Sequence, residues 1–253
     1  MSLSVEIINQ LSDNYSYLIF NNDNSSSIII DPAEADQIID SLKKKKLSLD
    51  YIFITHHHSD HTSGIPGLVE KYPEVKIYSP SALNSLSINK ISEGDKIITS
   101  LNEFEIISSP GHTLDHIVLC DHKNNLLFVG DVLFRLGCGR VFEGTFEQMQ
   151  NSLQKLLNFS DEMLVYCGHE YTLNNLKFLA HIFSQNEILE NTKKIISTDL
   201  NSKGRSIPFY LGEEKKSNPF LNQKCEMASE FRIKNKYSDS EFFTYLRERK
   251  DNF

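Results

Sequence analysis

Four potential metal ligands fall within six positions of this chain. They are His56, His58, Asp60 and His61 in the stretch Thr55-His56-His57-His58-Ser59-Asp60-His61. The stretch follows directly on the apolar run Tyr51-Ile52-Phe53-Ile54, which reads as a buried strand delivering a loop at a sheet edge. On extended backbone, residues two apart point the same way, so His56 and His58 can hold one ion together. Asp60 and His61 come where the chain turns and can face a second. His57, between two ligands, should point to the opposite side and serve structure.

One loop does not complete a catalytic metal centre, so distant ligands are needed at other strand ends. The sequence supplies three. His112 follows Phe104–Ser108 through the turn Pro110-Gly111, Asp131 follows Leu126–Val129 and Gly130, and His169 follows Met163–Tyr166 through Cys167-Gly168. Loops from one sheet edge converge, which makes these positions candidates for one site. The inventory is five imidazoles and two carboxylates. A catalytic zinc uses three protein ligands, so seven suit two ions. His56, His58 and His112 are assigned to the first, and Asp60, His61 and His169 to the second. Asp131 bridges, since a carboxylate has two oxygens and an imidazole one available lone pair. The donor set suits two divalent ions per chain, zinc foremost, with iron or manganese tolerated. Such a pair lowers the pKa of bound water from about 15.7 toward about 7, so the chemistry expected is hydrolysis by a hydroxide that Asp60 and Asp131 help to hold. His116, His122 and His181 lack a position on the rim where the ligand loops gather and are read as ordinary. Cys138 has no histidine beside it to activate it as a nucleophile.

The rest of the chain frames this centre. Short β-type segments dominate up to Tyr171, with a helix from Ala33 to about Lys46 and another through Leu68-Val69-Glu70. Two sheets packed face to face under helices fit that pattern, an α+β architecture. Beyond Tyr171 strand signals vanish, and 174–184, 186–200, 226–233 and 238–250 read as helical. The expected division is therefore a catalytic domain at 1–171 and a small all-helical domain at 172–253. The Lys43–Lys46 run reads as a solvated helix end. A net charge of −8 disfavours a nucleic-acid surface. Met1–Gln10 has neither a basic start nor an apolar core, and no stretch approaches a membrane span, so no signal peptide or membrane partner is expected. Four scattered cysteines read as reduced thiols, which places the protein in the cytoplasm. A monomer is the default.

Taken together, T-H-H-H-S-D-H, S-P-G-H-T, G-D-V-L-F and Y-C-G-H-E-Y-T resemble the metallo-β-lactamase superfamily. More narrowly, Gly130–Phe134, Gly137–Thr145, Gly168–Phe178 and the tail Leu246–Phe253 resemble the glyoxalase II (hydroxyacylglutathione hydrolase) family. The resemblance implies an αββα sandwich with a C-terminal helical domain. It also implies hydrolysis of S-(2-hydroxyacyl)glutathione thiolesters by a hydroxide bridging two metals, with S-D-lactoylglutathione giving D-lactate and glutathione in methylglyoxal detoxification. The family's glutathione-binding positions carry over to Arg140, Phe142, Tyr171, Arg247 and Lys250. Phe142 departs from the tyrosine of many relatives, losing a hydroxyl donor. The stretch 199–218, with Arg205 and Lys215, matches weakly and receives no role. A mononuclear-iron persulfide dioxygenase of the same superfamily is the alternative; it would not need His61 and His169 for a second metal.

Overall fold

Residues 3–23, 25–83, 86–183 and 186–253 are described by a computed structural model of the chain. Met1 and Ser2 of the opening segment, Asn24, and Ser184 at the end of the expected 174–184 helix lie outside the described residues. The chain divides into two compact units, one of residues 1–108 and 115–130, the other of 109–114 and 131–253.

The first unit opens with β1 (Ser4–Gln10), β2 (Asn14–Phe20) and β3 (Ser26–Ile30), followed by helix α1 (Asp36–Lys45) and β4 (Ser48–Phe53). The one-turn α2 (Ser59–Thr62), α3 (Ile65–Lys71), β5 (Lys76–Ser79) and β6 (Ile88–Lys90) come next. β7 (Lys96–Ile98), β8 (Glu103–Ser108), β9 (Ile117–Asp121) and β10 (Leu126–Gly130) complete it. The six strands β1 to β6 make one sheet in sequence order, antiparallel from β1 to β3 and parallel from β3 to β6. β7 to β10 run as an antiparallel meander.

Strand alternation sorts the apolar residues of the first sheet onto two faces. Leu18, Ile29 and Ile52 join Ile38 and Leu42 of α1 and Ile65 and Leu68 of α3 in one core. Tyr17 and Phe53 point the other way and meet Phe128 and Phe104 of the meander at ring-centroid distances of 5.4 and 5.1 Å. A sheet filled from both faces explains why Ile28-Ile29-Ile30 reads as a continuous apolar run. Ile29 is fully buried, and truncation to alanine would cost about 2–5 kcal/mol.

The second unit holds the hairpin β11 (Leu133–Phe134) and β12 (Gly137–Cys138), helix α4 (Phe146–Leu156) and β13 (Leu164–Cys167). It continues with α5 (Thr172–Ile182), α6 (Glu187–Lys203), β14 (Phe209–Tyr210), α7 (Leu211–Ser217), α8 (Glu226–Lys234) and α9 (Asp239–Asp251). Thr145 and Gln148 form a reciprocal capping box at the start of α4, and Ser238 with Glu241 does the same for α9. Strand structure does not end at Tyr171: β14 pairs antiparallel with β13, Val165 opposite Phe209. A two-residue strand has no periodicity to read, and its pairing partner alone defines it.

Candidate metal and substrate site

Within the first unit, parallel pairing sets Ile30 beside Phe53, so the residues that follow each strand emerge side by side. Asp31 is one of them. Its buried carboxylate accepts the Thr55 backbone N–H at 2.8 Å and the Thr55 hydroxyl at 2.7 Å. The same oxygen that takes the hydroxyl lies 3.1 Å from His61 Nδ1. Since Thr55 spends its proton on Asp31, its oxygen, 3.0 Å from His56 Nδ1, accepts from that nitrogen. One carboxylate therefore fixes two tautomers, leaving the lone pair on Nε2 of both His56 and His61. His56 Nε2 in turn lies 3.1 Å from His58 Nδ1. That is close to the roughly 3.3 Å expected of two nitrogens about 2.05 Å from one tetrahedral ion. Asp60 Oδ2 lies 3.6 Å from His61 Nε2 and is steadied by Asn14 Nδ2 at 3.0 Å.

The other histidines of this unit separate clearly. His57 turns to Asp115, Nδ1 to Oδ1 2.9 Å, away from the ligand nitrogens. His116 differs from the expectation of an ordinary residue: it is fully buried, and its ring stacks on His56 at 4.9 Å. Asp31 is the functional residue that sequence reasoning missed. Its signal is the same one that marks Asp131, a carboxylate just after a buried strand.

In the second unit, Asp131 Oδ2 stands between two imidazole nitrogens, 3.4 Å from His112 Nε2 and 3.3 Å from His169 Nε2. His112 Nδ1 donates to the Arg140 carbonyl at 2.7 Å, which again leaves the lone pair on Nε2. The preceding turn can close only with glycine: Gly111 has φ +152°, and a Cβ there would meet Met149 of α4 at 2.7 Å. His169 stacks flat on Tyr171, centroids 4.8 Å apart, and Phe134 packs edge-on against Tyr171 at 5.1 Å.

The residues expected to bind glutathione surround the loop after β12. Phe142 is 61% exposed, its ring 5.2 Å from His112 and 5.9 Å from the Arg140 guanidinium. Arg140 is more than half exposed and approaches Asp251 of α9 through Nε at 3.3 Å. Lys250 donates to the Asn174 carbonyl at 3.2 Å and lies over the Phe178 ring. Its partial burial, with the Arg247 charge adding to it, pulls its pKa down to about 8. Arg247 differs in kind. It is buried, with Nη1 on the carbonyls of Cys138 and Gly139 at 3.1 and 3.4 Å and Nη2 on Asp251 at 2.9 Å. Three consecutive carbonyls, Cys138 to Arg140, are thus held by Arg247 and His112. In the weakly matched stretch, Lys215 pairs with Asp161, and the turn residue Ser206 is held by Glu170. All four cysteines are buried and unbridged, and burial raises each thiol, Cys138 included, which disfavours a thiolate nucleophile.

Two layers of sheet with histidine and aspartate on the strand-end loops define the metallo-β-lactamase class of fold, a class that binds divalent metal. Solved structures share the fold. The chain is similar to ETHE1 from Myxococcus xanthus (TM-score 0.65, 24% identity, 99% of this chain and 100% of that one). It is also similar to BLEG-1 B3 metallo-beta-lactamase (TM-score 0.57, 22% identity, 66% and 91%). Residues 11–169 match the family described as metallo-beta-lactamase superfamily, and residues 170–253 match hydroxyacylglutathione hydrolase C-terminus. Hydroxyacylglutathione hydrolase of Aliivibrio fischeri is 40% identical over 258 residues, covering 99% of this chain and 100% of the relative. Hydroxyacylglutathione hydrolase 1 of Vibrio vulnificus is 40% identical over 255 residues, covering 100% and 99%. The chain belongs to the hydroxyacylglutathione hydrolase family of the metallo-β-lactamase superfamily.

Proposed function

We propose that this enzyme hydrolyses S-(2-hydroxyacyl)glutathione thiolesters, S-D-lactoylglutathione to D-lactate and glutathione, in the cytoplasm and as a monomer. Among the described residues no helix is long and apolar enough to cross a membrane. The observation that carries the reading is the loop Cys138–Arg140, whose backbone is gripped on one side by a ligand-type histidine and on the other by a buried arginine of α9. A residue of the chemistry and a residue of the glutathione set thereby share one short support.

The donor set fits divalent metal. Tautomers imposed by Asp31 and by the Arg140 carbonyl leave lone pairs on His56, His61 and His112 at the nitrogens a metal would use. In this reading His56, His58 and His112 hold one ion, Asp60, His61 and His169 hold a second, and Asp131 serves both. When bound, a zinc, iron or manganese pair supplies Lewis-acid activation of water for attack on the thiolester carbonyl. Arg140 and Lys250 supply cations to the carboxylates of glutathione, which an acidic protein must concentrate locally. Phe142 and Tyr171 supply apolar surface, and Arg247 holds the loop that carries Arg140. The functional division falls at Tyr171, with 1–171 carrying most of the chemistry and 172–253 completing the glutathione site. The likeness to ETHE1 is one of fold.

The test is loss of thiolester absorbance when purified protein meets S-D-lactoylglutathione, before and after chelation. Chelator-sensitive loss is expected, reversed by adding zinc. Absence of any such loss overturns the proposal.

A further inference from the structure

The second unit places an acid inside the cluster of cations just assigned to glutathione. Asp251 is one helical turn beyond Arg247 on α9. Its Oδ1 accepts Arg247 Nη2 at 2.9 Å and lies 3.3 Å from Arg140 Nε. Both contacts converge on a single oxygen, as they would on the carboxylate of a bound ligand.

The two partners are not equivalent. Arg247 is 4% exposed, and its other amine is committed to the Cys138 and Gly139 carbonyls, so its pair with Asp251 belongs to the frame. Arg140 is 55% exposed and meets Asp251 through one nitrogen only. An exposed single contact of that length is weak and screened. A carboxylate arriving from solvent could take the guanidinium by its two-pronged edge, the stronger geometry.

Resting on the glutathione reading above, we propose that Asp251 is a specificity-setting residue: an internal stand-in for a substrate carboxylate, from which an incoming glutathione carboxylate takes over Arg140. While the site is empty, Asp251 keeps the Arg140 side chain beside α9 and over Phe142. When glutathione leaves, it recaptures Arg140. Its negative charge weakens substrate binding in return for a site that is ordered before binding and is readily vacated.

The prediction has a sign opposite to that of a purely structural role. Asp251→Asn retains an oxygen able to accept from Arg247 and removes only the charge; Asp251→Ser is the second variant should the first not fold. Affinities for S-hexylglutathione and for its dimethyl ester, in which both carboxylates are capped, are measured by calorimetry at low salt. Expected is threefold to tenfold tighter binding of the free acid by the variant, little change for the ester, and shrinkage of the gain at 0.5 M salt. KM for S-D-lactoylglutathione should fall by a similar factor. Unchanged or weaker binding of the free acid, or an equal change for acid and ester, overturns the proposal. If the wild type itself shows no chelator-sensitive hydrolysis, it is the proposed function that fails, a distinguishable result.

Discussion

The imidazole of His112 donates its Nδ1–H to the backbone carbonyl of Arg140 across 2.7 Å. A single hydrogen bond therefore ties the orientation of a metal-ligand candidate to the loop that carries Arg140, the cation proposed to meet glutathione. Small shifts of that loop should be felt in both chemistry and binding.

Gly139, inside the loop, tests this coupling. A Cβ built there would lie 1.9 Å from the Asp131 carbonyl oxygen and 3.3 Å from His112 Nδ1. Backbone at 1.9 Å cannot move aside as a flexible side chain would, so Gly139→Ala must displace the Asp131 strand end or the loop. Expected is a loss of at least about 100-fold in kcat/KM, consistent with misplacement of catalytic groups by about an ångström. Metal per chain, measured by elemental analysis, should fall while circular dichroism stays native-like. Normal metal content with normal turnover would refute the coupling.

Asp31 touches no substrate in this reading, yet it sets two tautomers. Asparagine offers one acceptor oxygen where three donors now converge, and its amide would oppose either Thr55 or His61. Asp31→Asn should weaken metal affinity about 10- to 100-fold, the range for partners that orient ligating histidines. Competition against a chromophoric chelator reads this directly. It should also cost about 1–3 kcal/mol of stability, through donors left buried without partners. Affinity equal to that of the wild type would remove Asp31 from the site.

How far these features could be read from residues alone depended on how local their causes are. Tyr51–Ile54 announced itself because a strand covered on both faces is apolar at every position. Ligands clustered beside it are a local pattern too. Asp31 lay in an equally local pattern, but its role appears only once β3 and β4 are set in parallel register. Helix α4 was not anticipated, although Thr145 and Gln148 spell its capping box and Met149, Leu153 and Leu156 line its buried face. Its N-cap, Thr145, is the last residue of the segment Gly137–Thr145 that carries the resemblance. Arg247 was placed in the substrate set by resemblance; that its donors serve the Cys138 and Gly139 carbonyls follows only from packing more than a hundred residues apart in the chain.

Lys250 gives a pH-dependent readout. Its pKa lies near 8, below the ordinary 10.5, chiefly because burial penalises the cation. As pH rises through about 8 the ammonium is lost, so KM for S-D-lactoylglutathione should climb between pH 7 and 9.5 with kcat little changed. Lys250→Arg keeps its charge over that range and should hold KM flat. The stability sign is opposite to that of a favourable ion pair. The cost of burying the charge is present below pH 8 and is relieved as pH rises from 8 toward 10.5, because the unfolded chain then holds the proton that the folded one has released. A KM profile shared by the wild type and Lys250→Arg would exclude Lys250 from binding.

Glu214 offers a second titration, this time in the frame beneath the substrate loop. It is buried; its Oε2 accepts Leu136 N–H at 2.7 Å and Asn218 Nδ2 at 2.9 Å, and Asn218 also donates to the Phe134 and Gly137 carbonyls. Burial pushes its pKa up from 4.5 to about 7, despite those bonds and the nearby Arg135. A raised carboxyl pKa means that the folded chain binds the proton more tightly than the unfolded one. The associated stability is present below about pH 4.5 and is lost as pH rises to 7 and beyond. Glu214→Gln keeps an oxygen for both donors and never ionises. The variant should match the wild type near pH 5 and exceed it at pH 8.5, by an amount on the order of 3 kcal/mol at most. Urea denaturation at the two pH values measures the difference, and a gap that does not change with pH would show that the buried carboxyl is not what titrates.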